Sequence, residues 1–98
     1  MAEEVDAERL AICAREKGRI SVYGALPRPL KCFLDIEVRR LDGDRFNVKT
    51  TVECPPFAKR EETAEMTYDE LITRLREAER FLTREDIERA LWLSECTR

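Results

Sequence analysis

The stretch LKCFLDIEVRRLDGDRFNVKTTVEC, residues 30–54, decides the fold of this chain. Apolar residues occupy every second position over most of both its arms, residues 30–38 and 46–54. Thr50 is the one polar residue in this alternating series. A period of two is typical of half-buried strands. The stretch therefore predicts one long antiparallel hairpin.

The turn of this hairpin must place both apolar sets on one face of the sheet. A two-residue turn over Asp42-Gly43 would pair even with odd positions and send the two sets to opposite faces. A three-residue loop over Leu41, Asp42 and Gly43, with Gly43 left-handed in a bulge, keeps them together. This loop predicts the cross-strand pairs Val38 with Phe46, Ile36 with Val48, Leu34 with Thr50 and Cys32 with Val52.

The rest of the chain predicts one strand before the hairpin and helices at both ends. Residues 3–17 predict a helix with acids in its first turns and bases in its last, and residues 19–26 predict a strand. Prolines 55 and 56 end strand pairing, so residues 55–66 are expected to form a polar crossover loop. The prediction is an α+β domain over residues 1–98, a three-stranded antiparallel meander in the order α-β-β-β-α-α.

Two helix starts are marked by paired side chains. Thr67 with Glu70, and Thr83 with Asp86, have the spacing of capping boxes, in which each side chain caps the other residue's backbone. Because no glycine or proline separates the two helices, one bent helix is the alternative.

Composition narrows the function classes. Charged residues make up 40% of the chain. Histidine is absent and only three glycines occur, so the sequence contains none of the usual catalytic residue combinations and no glycine-rich phosphate-binding loop. A non-enzymatic binding protein without a cofactor is expected. The charge content and scarcity of amides are typical of thermophiles, although a GC-rich genome would also favour arginine. Without an apolar targeting segment or membrane span, the expected location is the cytoplasm.

The four cysteines have no metal-binding spacing. No CxxC pair exists and no histidine can complete a zinc site, so no metal is expected. The preferred interpretation is that they are small buried hydrophobic residues. Cys32 and Cys54 are diagonal neighbours in the predicted register, so a disulfide between them remains open, as found in intracellular proteins of some hyperthermophiles.

Charge is divided unevenly along the chain. Residues 15–60 carry a net charge of +5, whereas residues 1–14 and 61–98 carry −3 and −5. The sheet region is therefore basic and the helices acidic. Three aromatic residues outside the predicted core, Tyr23, Phe33 and Phe57, accompany these bases.

Basic side chains beside aromatic rings outside the predicted core suit the binding of single-stranded nucleic acid. Phosphates attract cations, and every nucleobase has a ring face that can stack. We expect binding to single-stranded DNA or RNA without strong sequence preference. The predicted phosphate-holding residues are Arg19, Lys31, Arg39, Arg40, Lys49, Lys59 and Arg60, and the predicted stacking residues are Tyr23, Phe33 and Phe57.

Two other interpretations remain open. The first helix could cover Tyr23 and Phe33, giving a sheet buried on both sides. The protein could instead be an adaptor, regulator or inhibitor that presents acidic helices to a protein partner, or a homodimer through Trp92 and Phe81, which lie off the apolar helix stripes.

Two families resemble this chain. The α-β-β-β-α order resembles the double-stranded RNA-binding domain, but the helix after the sheet begins with the acidic residues 66–70 and excludes that family. The arginine-rich, amide-poor chain, with Tyr23 and Phe33 beside Arg19, Lys31 and Arg39, is similar in type and layout to the ThermoDBP-related single-stranded-DNA-binding proteins of thermophilic archaea. That resemblance implies a nucleic-acid partner, and no residue role is carried over from it.

Overall fold

The computed structural model of the chain describes residues 5–25, 31–55 and 58–96. Its elements are α1 (Val5–Lys17), β1 (Arg19–Ala25), β2 (Phe33–Asp42), β3 (Arg45–Cys54), β4 (Ala58–Thr67), α2 (Tyr68–Glu79) and α3 (Arg84–Leu93). The strands form one antiparallel sheet in the order β1-β2-β3-β4. The predicted α+β class and meander are confirmed, but the predicted count of three strands is wrong.

The additional strand is β4, which occupies most of the segment predicted as a crossover loop. Its sequence AKREETAEMT is rich in charged residues, and small or apolar residues alternate with polar ones only near its end. It pairs with β3 along its whole length, from Arg45 opposite Thr67 to Cys54 opposite Ala58. The backbone hydrogen bonds that β3 offers hold this segment as a strand, and charged side chains are what edge strands commonly carry.

The hairpin of β2 and β3 has a register two residues away from the predicted one. Val38 lies opposite Val48, and Leu34 lies opposite Val52. A shift of two preserves the face of every side chain, so the predicted core face is correct while the predicted partners are wrong.

A bulge explains the register. Asp42 pairs with Arg45 across a two-residue turn at positions 43–44, and the register shifts between Arg40 and Asp42. The extra residue, Leu41, corrects the parity that a two-residue turn would otherwise break. Gly43 has φ +52°, the left-handed conformation expected of it.

Both capping boxes form as predicted. The Glu70 N–H donates to Thr67 Oγ1 at 3.3 Å and the Thr67 N–H donates to Glu70 Oε1 at 2.9 Å. The corresponding distances in the Thr83–Asp86 box are both 3.0 Å. Two separate helices therefore follow the sheet rather than one bent helix. No helix in the described part of the chain is long and apolar enough to cross a membrane.

All three helices pack on the same side of the sheet. α1 contacts α2, α3, β1 and β2, and it buries Ala7, Leu10, Ala11, Cys13 and Ala14. α1 therefore has neighbours on more than one side. The interpretation that α1 covers Tyr23 and Phe33 is wrong, because Tyr23 is 54% exposed on the opposite side of the sheet.

All four cysteines are paired, so their interpretation as free buried residues is wrong. Cys32 and Cys54 join the two arms of the hairpin, and Cys13 and Cys96 join α1 to the residues after α3. The observed register brings Cys32 directly opposite Cys54 instead of diagonal to it, which explains the first pair. The second pair spans a sequence separation of 83 residues.

Candidate functional site

The side of the sheet turned away from the helices carries the candidate site and is called the open face. Strand alternation turns every second side chain to this side. The open face consists of Arg19, Ser21, Tyr23 and Ala25 on β1, Phe33, Asp35, Glu37 and Arg39 on β2, Arg45, Asn47, Lys49, Thr51 and Glu53 on β3, and Lys59, Glu61, Thr63 and Glu65 on β4. No described helix packs against it.

Two aromatic rings stack on the open face. Tyr23 lies opposite Asp35, and Phe33 lies opposite Ala25, so the two rings are diagonal neighbours on adjacent strands. Their centroids are 6.0 Å apart and their planes differ by 10°. A shallow hollow of about 210 Å³ lies beside them and extends towards β4. The pair offers a ring surface that the core does not use.

Two arginines stand side by side near the other end of the same face. The Arg40 N–H donates to the Gly18 carbonyl oxygen at 2.8 Å, so the next pair along the ladder, Arg19 with Arg39, is of the closer, non-hydrogen-bonded kind. Like charges directly opposite each other are destabilising. Within the described residues neither arginine has an ion-pair partner, and both line a hollow of about 320 Å³.

Charge on the open face is balanced overall but not uniform. Its bases are Arg19, Arg39, Arg45, Lys49 and Lys59, and its acids are Asp35, Glu37, Glu53, Glu61 and Glu65. Both β4 acids on this face form ion pairs, Glu61 with Lys49 at 3.1 Å and Glu65 with Arg45. Arg19 and Arg39 therefore lie side by side without an ion-pair partner among the described residues, and Glu37 lines the same hollow.

Asp35 is the acid that lies next to the aromatic rings. Burial raises the pKa of its carboxyl group, the charge of Glu37 raises it further, and a side-chain hydrogen bond with Ser21 and the charge of Lys49 oppose the shift. Its Oδ1 is buried without a hydrogen-bond partner in the described part of the protein.

The open face brings together six of the ten predicted site residues, namely Arg19, Tyr23, Phe33, Arg39, Lys49 and Lys59. Lys31 is exposed just before β2. Phe57 lies outside the described residues.

Two predicted site residues lie elsewhere. Arg40 is on the helix side of β2, where its guanidinium donates to the carbonyl oxygens of Gly43 and Arg15 at 3.1 and 3.0 Å. Arg60 is opposite Val52, also on the helix side. The side chains of consecutive strand residues point to opposite faces of the sheet. Only one residue of Arg39-Arg40 and one residue of Lys59-Arg60 can therefore lie on the open face.

Sequence reasoning missed the contribution of β4 to this face. Glu61 and Glu65 form ion pairs there, and Thr63 lies between them. A signal existed in residues 63–66, where the small or apolar Ala64 and Met66 alternate with polar residues. It is short, and the charged residues before it obscured it.

Neither metal chemistry nor a known relative identifies the site. No group of three or more His, Cys, Asp or Glu side chains among the described residues is placed to hold a metal ion. Comparison with protein families, with curated proteins and with solved structures finds no match for this chain. The function has to be inferred from the open face itself.

Proposed function

We propose that this protein is a non-enzymatic, single-stranded nucleic-acid-binding protein that uses the open face without strong sequence preference. One observation carries the proposal: an aromatic stack of exposed Tyr23 with half-buried Phe33 shares a sheet face with Arg19 and Arg39. No described helix covers this face, and neither arginine has an ion-pair partner among the described residues. The ThermoDBP-related proteins, which this chain resembles in type and layout, are single-stranded-DNA-binding proteins.

The arginine pair supplies the phosphate contact. Two guanidinium groups held opposite each other repel, and a bound phosphate would replace that repulsion with charge-assisted hydrogen bonds to both. Arginine suits this role because its planar donors match phosphate oxygens. Arg19 and Arg39 therefore form the point at which the nucleic-acid backbone is held.

The aromatic pair supplies the base contact. Unpaired bases stack on exposed rings, and each stacked base contributes about 1–3 kcal/mol. Because every base has a ring face, such contacts tolerate many sequences. Four acids line the hollow beside the rings, Asp35, Glu37, Glu53 and Glu61, and of these Glu61 is paired with Lys49 at 3.1 Å.

A fluorescence-anisotropy titration with labelled oligo-dT and oligo-rU tests the proposal. Phe33→Ala should weaken binding by about 1–3 kcal/mol through the loss of stacking. Arg39→Ala should weaken binding to every sequence. It should also reduce the slope of log affinity against log salt by about 0.7 for each phosphate that the variant no longer neutralises.

Two control variants match these changes. Arg60→Ala removes an exposed base from the opposite side of the sheet, and Trp92→Ala removes an exposed aromatic residue from α3, so both should leave affinity nearly unchanged. Each variant must match the parent in circular dichroism. Absence of binding by the parent at low salt rejects the proposal, and so does an equal loss of affinity in Arg39→Ala and Arg60→Ala.

A second candidate function is a protein-interaction module that presents its acidic helices. Trp92 is 68% exposed, Leu93 is 66% exposed and Phe81 is 45% exposed. Large exposed apolar side chains often mark interaction sites. If the parent fails to bind either oligonucleotide, this function takes precedence and Trp92→Ala becomes its first test.

We place the protein in the cytoplasm of a thermophile. The amide-poor, charge-rich composition supports the source, and two intramolecular disulfides are compatible with a cytoplasmic location mainly in such organisms. Mass spectrometry after alkylation in the native host tests the two disulfides on which this placement relies, because fully alkylated cysteines would show that both are reduced in the cell.

A further inference from the structure

Each ring of the aromatic stack has a carboxylate as its direct cross-strand partner. Tyr23 lies opposite Asp35 on β2, and Phe33 lies opposite Glu53 on β3. Side chains directly opposite each other in an antiparallel pair have Cβ atoms about 4.5–5.5 Å apart. A base that stacks on either ring therefore comes close to a carboxylate.

The carboxylates beside the rings are not equally available to a ligand. Asp35 is half-buried and its Oδ1 is buried. Glu61 is occupied by Lys49 at 3.1 Å. Glu53 is exposed, and its carboxylate forms no ion pair within the described part of the chain. Glu53 is therefore an accessible, unpaired carboxylate directly opposite a ring.

The hollow of about 210 Å³ beside the rings is rich in hydrogen-bond acceptors. Its carboxylates belong to Asp35, Glu37, Glu53 and Glu61. Ionised carboxylates accept hydrogen bonds and donate none. The edge of a base that enters this hollow is therefore favoured when it carries donors.

The bases differ in how they present donors. Guanine places N1–H and the N2 amino group side by side on its Watson–Crick edge, and the two oxygens of one carboxylate can accept both at once. Adenine and cytosine place their amino group next to a ring-nitrogen acceptor. Thymine and uracil have one N–H between two carbonyl oxygens, which a carboxylate repels. Guanine is therefore the base whose edge fits a carboxylate beside a stacking ring.

We propose that the ring subsite, formed by Tyr23, Phe33, Asp35 and Glu53, selects guanine for the one nucleotide that it holds. The base stacks on the rings, and Glu53 accepts its N1–H and N2–H groups. This inference rests on the proposed function and adds to it the identity of a preferred base. The phosphate contacts elsewhere on the open face stay independent of sequence, so the selectivity is confined to one position.

The same carboxylates decide which part of a nucleotide enters the hollow. They repel phosphate, so the base edge enters and the backbone stays outside. Lys59 is exposed opposite Glu53 on β4 and offers the backbone a cation at this end of the face. Arg19 holds the backbone at the other end, about 13 Å from Tyr23 along β1.

A single substitution in an oligonucleotide tests the selection. Fluorescence anisotropy is measured with labelled short oligo-dT in which one central dT is replaced by dG or by deoxyinosine (dI). Inosine keeps the purine ring and N1–H but lacks the N2 amino group, so the comparison separates hydrogen bonding from stacking. The dG oligonucleotide should bind about 5-fold or more tightly than the dI oligonucleotide.

Glu53→Gln should move two measured quantities in opposite directions. Removing the negative charge should strengthen binding to unsubstituted oligo-dT, while the preference for dG over dI should disappear. A carboxylate that only repels phosphate would change all three affinities by the same factor. Glu65→Gln is the matched control, because Glu65 lies on the same face but is paired with Arg45 outside the hollow. It should keep the preference for dG.

The outcomes separate this inference from the proposed function. Equal affinity of the parent for the dG and dI oligonucleotides overturns guanine selection and leaves the proposed function standing. Absence of binding to every oligonucleotide at low salt rejects both. A preference for dG that persists in Glu53→Gln, or that is lost equally in Glu65→Gln, overturns the role of Glu53. Circular dichroism of both variants must match that of the parent.

Discussion

Replacing Gly24 with alanine should destabilise the protein because α3 leaves no room for a side chain. Gly24 is buried on the helix side of β1, and its φ is not in the left-handed range, so space alone requires glycine. A Cβ there would lie 2.6 Å from Asp86 Oδ2 and 2.8 Å from Leu82 Cδ2. At least one of these groups must move.

The cost follows from what Asp86 does. Its Oδ2 accepts the Thr83 N–H in the capping box of α3, and loss of a cap costs about 1 kcal/mol. Overpacking costs about 1–3 kcal/mol, while replacing glycine reduces the entropy of the unfolded chain and returns about 0.4–1 kcal/mol. The expected net destabilisation of Gly24→Ala is about 1–3 kcal/mol.

Guanidinium denaturation of a double-mutant cycle isolates the proposed collision. Asp86→Ala alone should cost about 1 kcal/mol, the value of the cap. In that background the penalty of Gly24→Ala should be smaller by about 1 kcal/mol, because only the contact with Leu82 remains. A Gly24→Ala variant as stable as the parent would refute the collision, and so would an equal penalty in both backgrounds.

Two further predictions concern the disulfides and pH. Replacing Cys13 and Cys96 with alanine should lower the free energy of unfolding by about 4 kcal/mol, because this bridge closes a loop of 83 residues; an unchanged denaturation midpoint would contradict it. Asp35 has a pKa raised in the folded state, so stability should fall as pH rises from its ordinary value of 3.8 through the raised value. Asp35→Asn should be more stable than the parent at neutral pH, with the difference vanishing in acid, and a less stable variant would show that the carboxylate is favourable.

Local patterns in the sequence were sufficient to predict the α+β class, the side-chain faces of β1 to β3 and the starts of α2 and α3. Thr67 and Thr83 form their capping boxes within four residues, so no distant part of the chain decides them. The period of two likewise fixes which side chains share a face. It predicted that Tyr23, Phe33, Arg19 and Arg39 would lie together, and the structure places them on the open face.

Tertiary structure decided the features that depend on a partner far along the chain. β4 is a strand because β3 offers it hydrogen bonds, and its own charged sequence carries little preference for one. The register of β2 and β3 depends on a bulge at Leu41 that preserves the faces at a different alignment. Arg60 does not lie on the open face, because the segment predicted as a loop is a strand. The alternation of this strand turns the Arg60 side chain to the helix side.

The burial of one sheet face and the exposure of the other were also decided by packing. The sequence left open which side α1 would cover, since its apolar residues are spread around the helix. α2 and α3 bury Leu71, Leu75, Ile87 and Leu91 on the same side of the sheet, and α1 packs between them. The contact of Cys13 with Cys96 arises from this arrangement, because a pair 83 residues apart is set by three-dimensional packing and not by local spacing.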